Sequence, residues 1–187
     1  MTKVARHNLR ILLVDDDDND AELLRTALLE AGFTRPVTHF KNGAIALEYF
    51  KYTKATGADV PHIILLDLNM PLIDGVRALH RLREVSSFRD LPVIILSAND
   101  DPAKRREVAE LGIFRFLKKQ FSTAGVVSAL DDFIGFYNNE AASSSTQKDF
   151  LYRSMSPTLK ARSTGDEGRT ITKPVFDLRT RPRVHLR

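Results

Sequence analysis

Three short apolar runs constrain this chain more than any other feature: Ile11-Leu12-Leu13-Val14, Ile63-Ile64-Leu65-Leu66 and Val93-Ile94-Ile95-Leu96. Each is continuous rather than alternating, carries β-branched residues, and stops at a polar side chain: Asp15 and Asp16, then Asp67, then Ser97. Continuous apolarity means that both faces of a strand are covered, the habit of parallel sheets. Helical spacing fills the gaps. Residues 20–31 place Leu24, Ala27, Leu28 and Ala31 on one face and stop at Gly32. Residues 42–52, 75–85 and 102–111 look alike, with Asp101 and Pro102 as a cap and first-turn pair. Weaker strands are predicted over 36–40 and 113–118, and a last helix from Ser122, its cap, to about Tyr137. The order is β-α repeated five times within about 130 residues. Right-handed crossovers turn that order into a doubly wound α/β fold, an open five-stranded parallel sheet with helices on both faces. Ligands of such sheets bind beyond the carboxyl ends of the strands, where the acids of this chain cluster.

Composition narrows the function classes. The 187 residues fit one ordinary domain with an appendage. No apolar run approaches the ~20 residues of a membrane span, so no membrane role is expected. The first residues lack the pattern of a secretory signal, and the absence of cysteine excludes disulfides, thiolate metal sites and a cysteine nucleophile. A cytoplasmic protein is expected. The net charge of +4 conceals a split, with −2 over residues 1–140 and +6 over residues 141–187. The basicity belongs to a C-terminal extension. It opens with a polar, small-residue linker at 138–147 and continues Arg-rich, interrupted by Phe150, Leu151, Tyr152 and Met155 and by a strand-like stretch at 170–178. The stretch 170–178 is too isolated to fold alone.

The chemistry lies at the strand ends. An acidic run such as residues 15–18 is by itself a solvated turn. Asp67 after a second buried strand changes that reading, because side-by-side carboxylates about 4 Å apart repel by roughly 4 kcal/mol at an effective dielectric of 20. A hard cation relieves the repulsion, and an all-oxygen donor set suits Mg²⁺. Ser97 and Lys119 end the fourth and fifth strands on the same rim. A carboxylate, a metal, a hydroxyl and an ammonium converging on one spot suit a phosphoryl group carried by an aspartate as an acyl phosphate.

The segments ILLVDDDDND, IILLDLNMPLIDG, VIILSAN and FRFLKKQF resemble, in order and spacing, the signature blocks of the receiver domain of two-component response regulators. The resemblance runs from about Leu9 to Tyr137 and implies the flavodoxin-like strand order 2-1-3-4-5. By position, Asp67 resembles the phosphoacceptor, and Asp15 and Asp16 the acidic pair, with Asp16 the more direct Mg²⁺ ligand. Asn69 stands where the family offers a backbone carbonyl to the metal. Ser97 is at the switch hydroxyl, followed by the small Ala98, and Phe116 is at the switch aromatic. Counting back from Phe121 favours Lys119 over Lys118 as the family's lysine, and Asp74-Gly75 matches the turn opening the third helix. The implied donor is a sensor histidine kinase. The loop before the third strand and the wording LLDLNMPLIDG are similar to stand-alone regulators that partner cyanobacterial phytochromes and bacteriophytochromes. The expected output is through protein contacts such as a homodimer, with no specific DNA binding.

One departure stands out. The family usually has proline after the lysine, often cis, and this chain has Gln120. A cis bond there costs about 2.5–4 kcal/mol without proline, so a trans Lys119–Gln120 bond is predicted. Two other readings compete. A haloacid-dehalogenase-type phosphohydrolase needs a second aspartate two residues after the nucleophile, but Asn69 follows Asp67, and Asn19 stands where Asp15 and Asp17 require threonine or valine. A nucleic-acid-binding regulator could use the basic extension, but it lacks the periodicity of a helix-turn-helix domain. The extension is read as an interaction arm or a disordered tail. The five histidines have no ligand or triad spacing and are read as surface or packing residues.

Overall fold

The computed structural model describes residues 3–56, 60–86, 88–99, 101–119 and 123–140. Five strands, β1 (Ile11–Val14), β2 (Thr38–Phe40), β3 (Ile63–Asp67), β4 (Val93–Ser97) and β5 (Arg115–Lys118), alternate with α1 (Asp18–Glu30), α2 (Gly43–Thr56), α3 (Gly75–Glu84), α4 (Pro102–Glu110) and α5 (Ala124–Glu140). The strands form one parallel sheet in the order β2-β1-β3-β4-β5. The apolar runs are its three central strands, and every residue of β1, β3 and β4 is buried. Alternate side chains serve opposite faces. Leu13, Leu65 and Ile94 pack with Leu24 and Leu28 of α1 and Leu130 and Phe133 of α5. Leu12, Leu66 and Ile95 pack with Phe50 of α2, Leu79 of α3 and Val108 of α4. The register sets Val14 beside Leu66, Asp67 beside Leu96 and Ser97 beside Lys118, so the polar ends of the strands share one rim.

Several boundaries differ from the sequence expectation. Helix α1 starts at Asp18 rather than residue 20, because the Asp17 carboxylate accepts from the backbone N–H groups of Asn19 at 2.8 Å and Asp20 at 3.3 Å. Gly32 then ends the helix region at φ 86°, the left-handed conformation glycine adopts freely. The predicted linker at 138 begins too early. Asn138 lies within α5, and its amide exchanges two hydrogen bonds with Val4, at 2.8 Å and 2.7 Å. Strand β5 begins at Arg115 rather than residue 113, since Ile113 and Phe114 bury themselves in the turn that follows Gly112. Strand β2 begins at Thr38, and α2 runs on to Thr56, beyond residue 52. Helices α3 and α4 each stop one residue earlier than expected, at Glu84 and Glu110. The Ser122 cap, the Lys119–Gln120 bond, His185 and everything from residue 141 on, including the expected linker and arm, lie outside the described residues.

Arg83 had no sequence signal of its own, yet it ties the far end of α3 to the turn after α4. Its guanidinium donates to the carbonyls of Leu111 at 2.8 Å, Gly112 at 2.9 Å, Leu91 at 2.9 Å and Phe88 at 3.4 Å. Burial lowers its pKa to about 10, partly offset by Asp90, which leaves it charged at neutral pH. Arg83→Ala strips four half-buried carbonyls of their donor and is expected to cost about 2–4 kcal/mol in urea unfolding. A loss below about 0.5 kcal/mol would show the clamp to be ornamental.

Candidate functional site: an acidic rim closed by a lysine

Asp15 follows β1 and Asp67 ends β3, and their residues are only 1% and 4% exposed. The chain turns sharply after each, and each carboxylate locks that turn. Asp15 Oδ1 accepts from the Asp17 N–H at 3.1 Å, and Asp67 Oδ1 accepts from the Asn69 N–H at 3.0 Å. Their Oδ2 atoms remain for the rim, where Lys119 Nζ lies 2.8 Å from Asp15, 2.9 Å from Asp67 and 3.0 Å from Asp20. The Lys119 N–H bonds the Ser97 carbonyl at 2.7 Å, which carries the β4–β5 pairing up to the lysine itself. Lys118 is exposed.

The electrostatics follow from that geometry. Burial raises the pKa of Asp15, and the nearby Asp67 charge adds to it, against the hydrogen bond and charge of Lys119. Burial alone would lower the pKa of Lys119, but its bonds to Asp15, Asp67 and Asp20 outweigh it and raise the ammonium above its ordinary value. The ammonium therefore keeps its proton at neutral pH, and its contribution to stability is lost only as pH rises past the ordinary lysine range. Asp16 is exposed, yet ligand oxygens of Asp15, Asp16 and Asp67 all lie within 4.8 Å of one another. Opposite ligands of an octahedral Mg²⁺ are about 4.2 Å apart, so small side-chain rotations would close this hard-oxygen set around the ion.

The neighbours shape access to Asp67. Asp74 caps α3 by accepting from the Arg77 N–H at 2.8 Å, and Gly75 opens the helix directly against β3. A Cβ on Gly75 would stand 2.1 Å from the Asp67 carbonyl oxygen. Between them Leu72 adopts φ 68° and is 83% exposed. Ser97 is buried, and its hydroxyl donates to the Asn99 carbonyl at 2.8 Å rather than to the acids. Ala98 lines a cavity of about 250 Å³ beside Asp15, Asp20 and Lys119. Phe116 is half-buried on β5, with the Arg105 guanidinium 5.0 Å from its ring centre. The Asn69 side chain accepts from Lys104 Nζ at 3.3 Å.

All of the candidate residues lie on the carboxyl edge of the sheet except Phe116, which stands midway along β5. Sequence reasoning missed Asp20 and His39. The His39 ring carries its proton on Nε2 and donates to the Asp15 carbonyl at 2.8 Å, since that oxygen can only accept. Asp20 had only its place in the acidic run as a signal.

The fold and rim define a doubly wound α/β protein with three aspartates and a lysine gathered at its carboxyl edge. More particularly, the chain belongs to the response regulator receiver domain family, whose sequence profile matches residues 11–131. Among its relatives is the probable methanogenesis regulatory protein FilR2 of Methanothrix harundinacea, 34% identical over 97 residues, which span 51% of this chain and 63% of that one. The response regulator MprA of Mycobacterium bovis is 28% identical over 171 residues, which span 91% of this chain and 70% of that one. Among solved structures, the bacteriophytochrome response regulator RtBRR is 31% identical with a TM-score of 0.59, over 67% of this chain and 78% of that one. The family is one of two-component signalling rather than of turnover enzymes, and the phosphohydrolase reading is set aside. Among the described residues no helix is long and apolar enough to cross a membrane.

Proposed function

We propose that Asp67 accepts a phosphoryl group from a sensor histidine kinase and that the acyl phosphate is the protein's signal. The observation that carries this reading is the Asp67 carboxylate itself, nearly buried, bonded to Lys119 and grouped with Asp15 and Asp16. In the transfer, an Asp67 oxygen attacks phosphorus, the P–N bond of the phosphohistidine breaks, and the imidazole leaves and takes up a proton. Mg²⁺ bound by Asp15, Asp16, Asp67 and the Asn69 carbonyl would neutralise charge on the transferred oxygens. Lys119 exchanges its bond to Asp67 for one to a phosphoryl oxygen. Ser97 leaves the Asn99 carbonyl and donates to another, and Ala98 leaves room for both. The added charge of roughly −1.5 to −2 draws Ser97 in, and Phe116 turns toward the space it vacates. The face of α4, β5 and α5 then carries the change to partners, including a second copy of the chain.

The likeness to RtBRR, together with the sequence blocks around Asp67, supports a phytochrome-type kinase as donor. Residues 1–140 would be the receiver unit and 141–187 a separate basic arm that engages protein rather than a specific DNA sequence. Self-dephosphorylation would be slow. The test is to incubate the full chain with acetyl phosphate or a phosphorylated phytochrome kinase, with and without Mg²⁺. One alkali-labile phosphoryl group per chain, mapped to Asp67 and dependent on Mg²⁺, is expected, and a label mapped elsewhere overturns the assignment. A gel shift at physiological salt that favours one DNA sequence would overturn the assignment of the arm. Lys119→Ala is expected to weaken labelling while tightening Mg²⁺ several-fold, because it removes a cation that competes for Asp15 and Asp67. Titration of Mg²⁺ by calorimetry checks the second half.

A further inference from the structure

Lys119 is bound by three carboxylates, but only two of them belong to the cluster that suits a cation. The third, Asp20, stands 3.0 Å from Nζ with its side chain 48% exposed, against 2% for Asp15 and 6% for Asp67. We propose that Asp20 is the positioning residue of Lys119, holding the ammonium on the rim while Asp15 and Asp67 change partners. This rests on the receiver reading of Asp67 and adds a residue to it.

The placement of Asp20 supports the role. It is the third residue of α1, in a first turn fixed by the Asp17 cap, so its carboxylate rises from rigid backbone. Lys119 arrives from the end of β5, 99 residues away in sequence, on a four-carbon stem with several rotatable bonds. A cation on the inner acids and a phosphoryl group on Asp67 both draw on oxygens that Lys119 now holds. Asp20 lies outside that exchange and is the partner the ammonium keeps throughout. It is also the most exposed of the three carboxylates that hold the ammonium. Without Asp20 the ammonium has no partner left once a cation and a phosphoryl group take the Asp15 and Asp67 oxygens, and it is freer to leave the rim.

The experiment uses the full chain as wild type, Asp20→Asn, Asp20→Glu, Lys119→Ala and the Asp20→Asn/Lys119→Ala double variant. Two readouts are taken: the second-order rate of labelling by acetyl phosphate with Mg²⁺, and the rate at which acetic anhydride acylates Lys119 with neither donor nor metal present. Asp20→Asn is expected to lower the labelling rate about three- to tenfold and to speed Lys119 acylation by a similar factor. Asp20→Glu recovers part of both, since it restores the carboxylate at a longer reach. In the Lys119→Ala background, Asp20→Asn has no further effect on labelling. A labelling defect that persists there overturns the proposal, because Asp20 would then act by its own charge and not through the lysine. Unchanged acylation of Lys119 in Asp20→Asn also overturns it. A wild-type chain that takes no label defeats the phosphoacceptor reading instead, while the acylation readout still decides whether Asp20 holds the lysine.

Discussion

In Asp67→Asn, phosphoryl incorporation is expected to fall at least about a hundredfold, because an amide oxygen is a poor nucleophile and forms no stable mixed anhydride with phosphate. The variant also separates chemistry from folding. It costs Lys119 one of three carboxylate partners, but it removes a negative charge from beside the buried Asp15. These terms oppose each other, and stability is expected to stay within about 1 kcal/mol of wild type. Loss of label from a chain with an unchanged unfolding midpoint places the defect at the reacting atom. Undiminished labelling would move the phosphoacceptor to another residue and undo the functional reading.

The second large effect is expected from Gly75→Ala, although alanine is the better helix former by about 1 kcal/mol. The added methyl group would stand 2.1 Å from the Asp67 carbonyl oxygen and 2.8 Å from the Leu68 Cα. Backbone cannot step aside as a side chain can, so either α3 moves off β3 or β3 bends at its last residue. A loss of about 3 kcal/mol in unfolding stability is expected, accompanied by weaker labelling, because the displaced atoms belong to Asp67 itself. Circular dichroism through a urea titration checks the first outcome and the labelling rate the second. A variant as stable as wild type would mean that the close approach of α3 to β3 relaxes at little cost.

How much of this was legible beforehand depended on the range of the interaction. Buried strands announce themselves locally, so the continuous runs at residues 11, 63 and 93 led to three central strands and to the side chains that stop them. The edge strands carried a weaker pattern, and their limits moved accordingly. β2 keeps only three residues, and β5 surrenders Ile113 and Phe114 to a buried turn. One helix end moved because a side chain reaches across the chain. Asn138 prolongs α5 because it bonds Val4, 134 residues away, which no local pattern encodes. Lys119 was singled out over its neighbour by family spacing, and the structure sets its ammonium on both buried acids. Asp20 and Arg83 were missed for a common reason: each looks like an ordinary surface charge until its distant partners are known.

The Arg83 clamp has a mechanical consequence. It grips the carbonyls of Leu111 and Gly112 just past the C-terminal end of α4. At the other end, Lys104 reaches the Asn69 side chain through an exposed hydrogen bond and the Arg105 guanidinium lies over the Phe116 ring. On the proposed reading, a helix fastened at its C-terminal end would turn about that end, and a change at the rim would displace the α4 N-terminus, beside Asn69 and Phe116, more than its C-terminus.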